Sequence, residues 1–245
     1  MISGFATAEG TKNFKQNSSV NPMNFNIFET LHLSNVGMGT YLGDSDTKTD
    51  ELVKNAVKQS VMSGINVIDT AINYRGQKAE RSVGRAMLEL VEERKITRDQ
   101  IFVSSKNGYV TNDADIQEDF MQYVMRELGK PGIVKEGDIT SGYHCMTTSY
   151  LSDQLDRSLK NLDLECLDLM YLHNSIEGQI KDISKEQFLE NLKSVFELYE
   201  QKRDEGKIKF YGMATWECFR VMNDNSQHLL LEDIVEMAKN IGGDD

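Results

Sequence analysis

The sequence predicts an α/β fold, a parallel (β/α) barrel of the TIM type in which about five of the eight strand-helix units are present. Three observations predict it. From Leu33 onward, short apolar runs alternate with stretches at helical spacing, and strands joined by crossover helices pair in parallel with right-handed connections. Polar residues stand where consecutive runs stop: Asp69 after INVI with Tyr74 just beyond it, Lys106 after IFVSS, and His173 after DLMYL. A barrel opens all its strand ends onto the one face where active sites are built, whereas a doubly wound sheet concentrates its site at a reversal of strand order. The placement favours the barrel.

Residues 1–30 are polar, rich in Gly, Ser and Asn, and hold the first of 2 prolines. They read as an arm or short hairpin, with alternation from Phe25 to Leu33 allowing a strand pair. Residues 31–245 form the barrel domain. Its first strand lies around Val36 to Thr40. A helix from about Asp50 to Ser63 follows, with Leu52, Val53, Ala56, Val57 and Val61 on one face and Gly64 to end it. Ile65 to Ile68 is the second strand, and a helix from about Lys78 to Glu92 carries Val83, Met87, Leu90 and Val91. Ile101 to Ser105 is the third strand. An insertion at 107–147, with a short inner helix near Phe120 to Leu128, reads either as a substrate-side lid or as a tolerated surface loop. Thr148 can cap a helix bearing Leu151, Leu155, Leu159 and Leu162, and Leu167 to Leu172 is the fourth strand. Ser184-Lys-Glu-Gln187 has the pattern of a capping box and opens a helix with Phe188, Leu192, Val195, Phe196 and Tyr199 inward. Ile208 to Met213 is the fifth strand, and an amphipathic stretch runs from about Leu229 to Ile241.

Composition bounds the function. The chain has 245 residues with 39 acidic and 27 basic side chains, a formal charge of -12, which disfavours nucleic acid and anionic membranes as partners. Cys145, Cys166 and Cys218 are unevenly spaced without a C-x-x-C pair, so neither a disulfide framework nor a structural zinc site is indicated, and no metal is expected. A cytoplasmic setting fits, because the N-terminus lacks the pattern of an export signal and no run reaches the roughly 18 apolar residues of a membrane span. The phosphate-cradling patterns G-x-G-x-x-G and G-x-x-x-x-G-K-[ST] are absent.

Neighbouring strands lie about 4.8 Å apart, so the groups ending strands two to four can reach one point above the barrel. A phenol such as Tyr74 can donate a proton to a carbonyl oxygen gaining negative charge. Its reference pKa of roughly 10 is high for such work. The expectation is that the Lys106 cation favours the phenolate and that Asp69 holds the ammonium in place. His173 can orient the carbonyl, with Asn174 beside it as an amide donor. Singly, each has a plainer reading as a cap, a packing residue or an ion-pair partner. Together, at consecutive run ends, they form a catalytic constellation.

Gly39-Thr40-Tyr41, Asp69-Thr-Ala-Ile-Asn-Tyr74, Ala79-Glu80, Ser105-Lys106 and Tyr171-Leu-His173-Asn174 together resemble the aldo-keto reductase superfamily. Gly142-Tyr-His-Cys-Met-Thr-Thr-Ser-Tyr-Leu151 resembles a microbial branch with a long loop before the third helix. The resemblance implies an eight-stranded barrel and reduction of a small-molecule aldehyde or ketone with NADP, or NAD, as cofactor. It implies Tyr74 as general acid, Asp69 and Lys106 tuning it, His173 orienting the substrate, and a cofactor set of Gly39, Thr40, Tyr41, Asn174 and Thr215. The usual Ser-Asn after strand five is replaced by Gly212-Met-Ala-Thr215-Trp216. Thr215 either bonds the carboxamide or caps the next helix, and Trp216 is either an aromatic substrate wall or core.

Five units where the fold has eight read as a C-terminal truncation, with weak cofactor binding by this chain alone. The implied alternatives are a non-catalytic, partner-completed binding subunit and a Schiff-base aldolase acting through Lys106. Oligomeric state is not legible.

Overall fold

The computed structural model describes residues 1–243. Its centre is a five-stranded parallel sheet: β3 (Met38–Gly39), β4 (Val67–Asp69), β5 (Phe102–Asn107), β6 (Leu167–His173) and β7 (Ile208–Ala214), each hydrogen-bonded to the next in sequence. A strand order without reversal is that of a barrel wall, not of a doubly wound sheet. Among the described residues the wall has five strands, leaving edges at β3 and β7.

Long helices pack on the outside. They are α2 (Thr47–Met62), α3 (Lys78–Glu92), α5 (Thr148–Leu162), α7 (Lys185–Asp204) and α8 (Leu231–Gly242). α2 starts earlier than its apolar pattern does, because Asp46 accepts from the Thr49 N–H at 2.7 Å and caps it. α3 buries Val83, Ala86, Met87 and Leu90, and α5 buries the leucines at 151, 155, 159 and 162. These two helices approach closely at Gly84, where a Cβ would meet the Leu162 backbone at 2.7 Å. The N-cap position of α5 is Thr147, which makes no side-chain capping bond, one residue before the position the sequence pointed to. At α7, Ser184 Oγ accepts from the Gln187 N–H at 3.2 Å.

Residues 1–30 contain a helix, α1 (Ala8–Asn17), that hydrophobic periodicity does not reveal. Its buried face is Gly10, Thr11 and Phe14. Gly10 lies so close to Asp99 that a Cβ would fall 2.3 Å from its carbonyl oxygen. The Thr11 hydroxyl donates to Thr7 O and accepts from the His32 N–H. Small and polar residues make this contact, so no apolar stripe marks it. The hairpin of β1 (Phe25–Phe28) and β2 (Leu31–Ser34) follows. Leu31 packs with Ala6 and Phe102, and the Phe28 ring meets Phe210 edge-on at 5.3 Å, so apolar groups close the end of the sheet where the strands begin.

Residues 107–147 are packed rather than loose. They hold α4 (Phe120–Val124), continued by a π-helical turn at Met125–Gly129. Arg81 bridges Asp113 and Asp115, and Lys78 reaches both Asp115 and the buried Asp50. No helix among the described residues is long and apolar enough to cross a membrane.

Asp168, fully buried in β6, ties the N-terminal segment to the sheet. Oδ1 accepts from the Ala6 N–H at 2.6 Å, while Oδ2 accepts from the Val103 N–H and from Arg98 Nη2, both at 2.8 Å. Removing the carboxylate strands a buried guanidinium, a loss of about 3–5 kcal/mol when such a pair is broken. Asp168→Ala is therefore expected to lower the urea midpoint by that equivalent. A loss under about 1 kcal/mol, the range of an exposed ion pair, would show that the clamp contributes little.

Candidate active site

Side chains alternate across a strand, so the register decides which residues meet inside the barrel. Asp69 lies opposite Ser104, Lys106 opposite Tyr171, Tyr171 opposite Gly212, and His173 opposite Ala214. The inward face at the carboxyl ends thus collects Asp69, Lys106, Tyr171 and His173. The turn after β4 brings Tyr74 over them, its N–H bonded to Ala71 O at 3.1 Å.

Lys106 Nζ donates to Asp69 Oδ2 at 2.5 Å and to Thr70 O at 2.7 Å. The same ammonium sits 4.8 Å from the centroid of the Tyr74 ring, within the range of a cation–π contact. No hydrogen bond joins it to the phenol oxygen among the described residues. The Tyr74 and His173 ring centroids are 5.8 Å apart, and Tyr41 meets Tyr74 edge-on at 5.0 Å. These groups border an open pocket of about 550 Å³, lined by Asp69, Tyr74, Lys106, Tyr171, His173, Asn174, Met213, Ala214, Thr215, Trp216, Phe219 and Arg220.

The electrostatics differ from the sequence expectation in one respect. Burial and then the Asp69 carboxylate push the Tyr74 phenol up to about 12. The cation lies against the ring face, with its charge already matched by Asp69, so the phenol is held protonated. Burial pulls Lys106 below its ordinary value against the opposing pull of Asp69. Burial, then the nearby Lys106 charge, lowers His173 to about 3, so its ring is neutral and its buried Nδ1 has no protein partner.

His173 is backed by residues from the insertion. The Gln179 amide donates to His144 Nδ1 at 2.9 Å, which leaves Nε2–H to donate to His173 O at 2.8 Å. Burial lowers His144 to about 4, consistent with that neutral form. Its ring fits between Gly108 and Gly178, where added Cβ atoms would approach it to 2.5 and 2.6 Å. The Tyr109 ring lies 5.2 Å from both imidazoles.

The other sequence candidates are distributed around this centre. Gly39 is paired with Asp69, Thr40 is buried with its hydroxyl bonded to Thr70 Oγ1 at 2.8 Å, and Tyr41 is exposed. They border the pocket through the Tyr41 ring and do not line it. Asn174, at φ 43°, follows β6 and lines the pocket. Thr215 does two things: it lines the pocket, and its hydroxyl accepts from the Cys218 N–H at 3.4 Å in the manner of a cap while donating to Glu177 Oε1 at 2.5 Å. Trp216 is 68% exposed, a pocket wall and not core.

Sequence reasoning did not single out Tyr109, His144, Tyr171, Glu177, Phe219 or Arg220 as site residues. Tyr171 was within reach, since it precedes His173 by two and shares its face. Phe219 and Arg220 lie in turns with no periodicity to mark them.

Both lowered histidines bear on stability. The unfolded chain takes up protons near 6.5 while the folded rings wait until about 4 and about 3, so folding stability is full above 6.5 and falls as pH drops through that window. Imidazole resonances of His144 and His173 are expected to stay those of neutral rings down to about pH 5. A His173 midpoint near 6.5 in an NMR titration would contradict the burial described.

Comparison with known proteins bears on the family and the fold. The profile of the aldo/keto reductase family matches residues 35–231. Aldose reductase C of Dictyostelium discoideum is 29% identical over 94 residues, covering 38% of this chain and 27% of that protein. Among solved structures, the glycerol dehydrogenase AKR11B4 from Gluconobacter oxydans superposes with a TM-score of 0.52 at 17% identity, over 89% of this chain and 52% of the other. The aldo-keto reductase AKR11C1 from Bacillus halodurans, in its holo form, gives 0.47 at 23% identity, over 76% and 47%. The chain spans about half the length of these solved relatives. With the family profile covering most of its residues, the chain belongs to the aldo/keto reductase family.

Proposed function

We propose that the pocket is the active site of a carbonyl reductase, which converts a small aldehyde or ketone to the alcohol with NADP or NAD as the nicotinamide cofactor. The observation that carries this reading is the meeting of a phenol, an ammonium, a carboxylate and an imidazole at one strand-end mouth, with Lys106 both clamped by Asp69 and facing the Tyr74 ring. Membership of the aldo/keto reductase family supports the same chemistry.

The residues present fit a nicotinamide group. Asn174 lines the pocket, and its side-chain amide makes no hydrogen bond among the described residues. Thr215 directs its proton to Glu177, so its oxygen can accept from a carboxamide N–H. Nothing lies within 4 Å of a Cβ built on Gly39, which leaves room beside Tyr41 for a ribose. A reduced nicotinamide, when bound, supplies hydride to the carbonyl carbon.

The remaining steps belong to the protein. Tyr74 gives its proton to the carbonyl oxygen as negative charge develops there. Lys106 balances the phenolate left behind, and Asp69 keeps that cation in place through the cycle. His173, neutral at physiological pH, donates to the same oxygen and fixes its orientation. Anchored by two acceptors, Lys106 is a poor Schiff-base nucleophile, since its lone pair is bound up in the ammonium.

A phenol at about 12 suits proton donation, so reduction is expected to stay flat with pH until the phenol ionises. Alcohol oxidation needs the phenolate and should rise with pH over the same range. Tyr74→Phe is expected to cut carbonyl turnover by about 10²–10⁴-fold with cofactor affinity nearly unchanged. Unchanged turnover would remove the phenol from the mechanism. Lys106→Met should slow the same step and raise the pH at which alcohol oxidation sets in. An unshifted profile in that variant would show that the cation does not act on the phenol.

A further inference from the structure

Three of the residues lining the pocket carry formal charge: Asp69, Lys106 and Arg220. Asp69 and Lys106 are spent on each other at 2.5 Å. Arg220 is exposed, and its guanidinium forms no ion pair among the described residues. Among the described residues Arg94 is the other arginine without an ion pair, in a chain with 39 carboxylates against 27 basic groups. Arginines elsewhere find partners readily, as Arg75, Arg81, Arg98, Arg126 and Arg157 do with Asp50, Asp113, Asp168, Glu118 and Asp153.

Two acids associated with this turn, Glu217 and Glu177, do not serve Arg220. Glu217, one turn earlier, contributes its carbonyl to the Arg220 N–H at 2.7 Å but makes no ion pair with the guanidinium. Glu177 Oε1 already accepts from Thr215 Oγ1 and from the Trp216 and Glu217 N–H groups. Among the lining side chains one positive charge is therefore unmatched in a strongly acidic protein, on Arg220 beside Trp216 and Phe219, while the Glu177 carboxylate is held on the Thr215, Trp216 and Glu217 donors. A pocket of that sign draws anions while the rest of the surface repels them.

Resting on the carbonyl-reductase reading, and naming its substrate class, we propose that Arg220 is a specificity-determining residue that receives the carboxylate of an oxo-acid substrate whose carbonyl lies at Tyr74. A guanidinium offers two parallel N–H groups that match a carboxylate in a bidentate fork. The aromatic walls of Trp216, Phe219 and Tyr171 bound the space for a short carbon chain. The same oxyanion chemistry could come from a dinucleotide phosphate, and the test separates the two sources.

Trp216 is the single tryptophan of the chain and lines the same pocket, so its emission reports binding without cofactor or turnover. The probes are 4-oxopentanoate and its neutral amide, titrated into the full chain and into Arg220→Gln. The oxo acid is expected to bind about tenfold more tightly than the amide, in the range of one charge-assisted hydrogen-bond pair, and the preference should vanish in Arg220→Gln and shrink with salt. Because Arg220 is exposed, its replacement should leave the thermal midpoint unchanged. Equal binding of acid and amide, absence of oxo-acid binding, or a preference that survives in Arg220→Gln overturns the assignment. Binding of pyrophosphate that depends on Arg220, without such dependence for the oxo acid, also overturns it and gives the cation to the cofactor. A failed reductase reading shows separately, as turnover indifferent to Tyr74→Phe.

Discussion

The contact between Lys106 and Asp69 is the constraint on which the rest of the site depends, because it crosses from one strand to the next and exists in only one register. Asp69 faces Ser104, and Lys106 is two residues further along the same inward face. A slip of one residue would turn Lys106 outward and bring Ser105 in. The outward face is fixed by chemistry of its own: Ser105 Oγ donates to Glu80 Oε1 at 2.6 Å, and Asn161 donates to the other oxygen at 2.8 Å. Burial raises Glu80 above the usual carboxylate range. A polar pair behind the strand thus holds a charged pair in front of it.

The fold was legible where residues obey a period and obscure where backbone contacts replace it. Both ends of α3 and the leucine ladder of α5 were read correctly, because burial on those helices follows i, i+3, i+4 spacing. The strand-end residues were legible for a different reason, since a charged or titratable group directly after an apolar run is costly unless it faces a functional opening. Two helices escaped. α1 packs through Gly10, Thr11 and Phe14, and a single hydrophobic residue makes no periodic stripe. α6 (Ser175–Gln179) has five residues and begins after Asn174 at positive φ, too short for any periodicity to register.

The site itself was half legible. Its four central groups stand on strands or directly after them, where sequence position maps onto spatial position. Its walls do not. His144 reaches His173 from 29 residues upstream, and what permits the approach is the absence of side chains at Gly108 and Gly178. The insertion is therefore more than a surface loop: it supplies the imidazole that bonds the His173 carbonyl and the Tyr109 ring packed against both histidines. The direction of the Tyr74 shift differs from the expectation because burial raises the phenol, while Asp69, expected to hold the ammonium in place, also matches its charge. With Asp69 at 2.5 Å from the ammonium, the pair presents a dipole to the phenol, and burial decides the direction.

Glu177 shows how one carboxylate organises the turn after β7. In place of a Ser-Asn pair, the chain after β7 runs Thr215-Trp216, and a carboxylate from α6 gathers the Thr215 hydroxyl with the Trp216 and Glu217 N–H groups on one oxygen. Three donors on a single acceptor fix the turn without any regular helix there. They also set its polarity, since the Thr215 proton is committed to Glu177 and the hydroxyl oxygen acts as an acceptor, as it does toward the Cys218 N–H. The turn consequently presents an acceptor from Thr215, an apolar wall from Trp216 and an unmatched cation from Arg220 within six residues. Under the proposed reading these features divide between two ligands, the Thr215 acceptor serving a nicotinamide carboxamide and the Arg220 cation the negative end of a substrate, with Trp216 as the apolar wall between them.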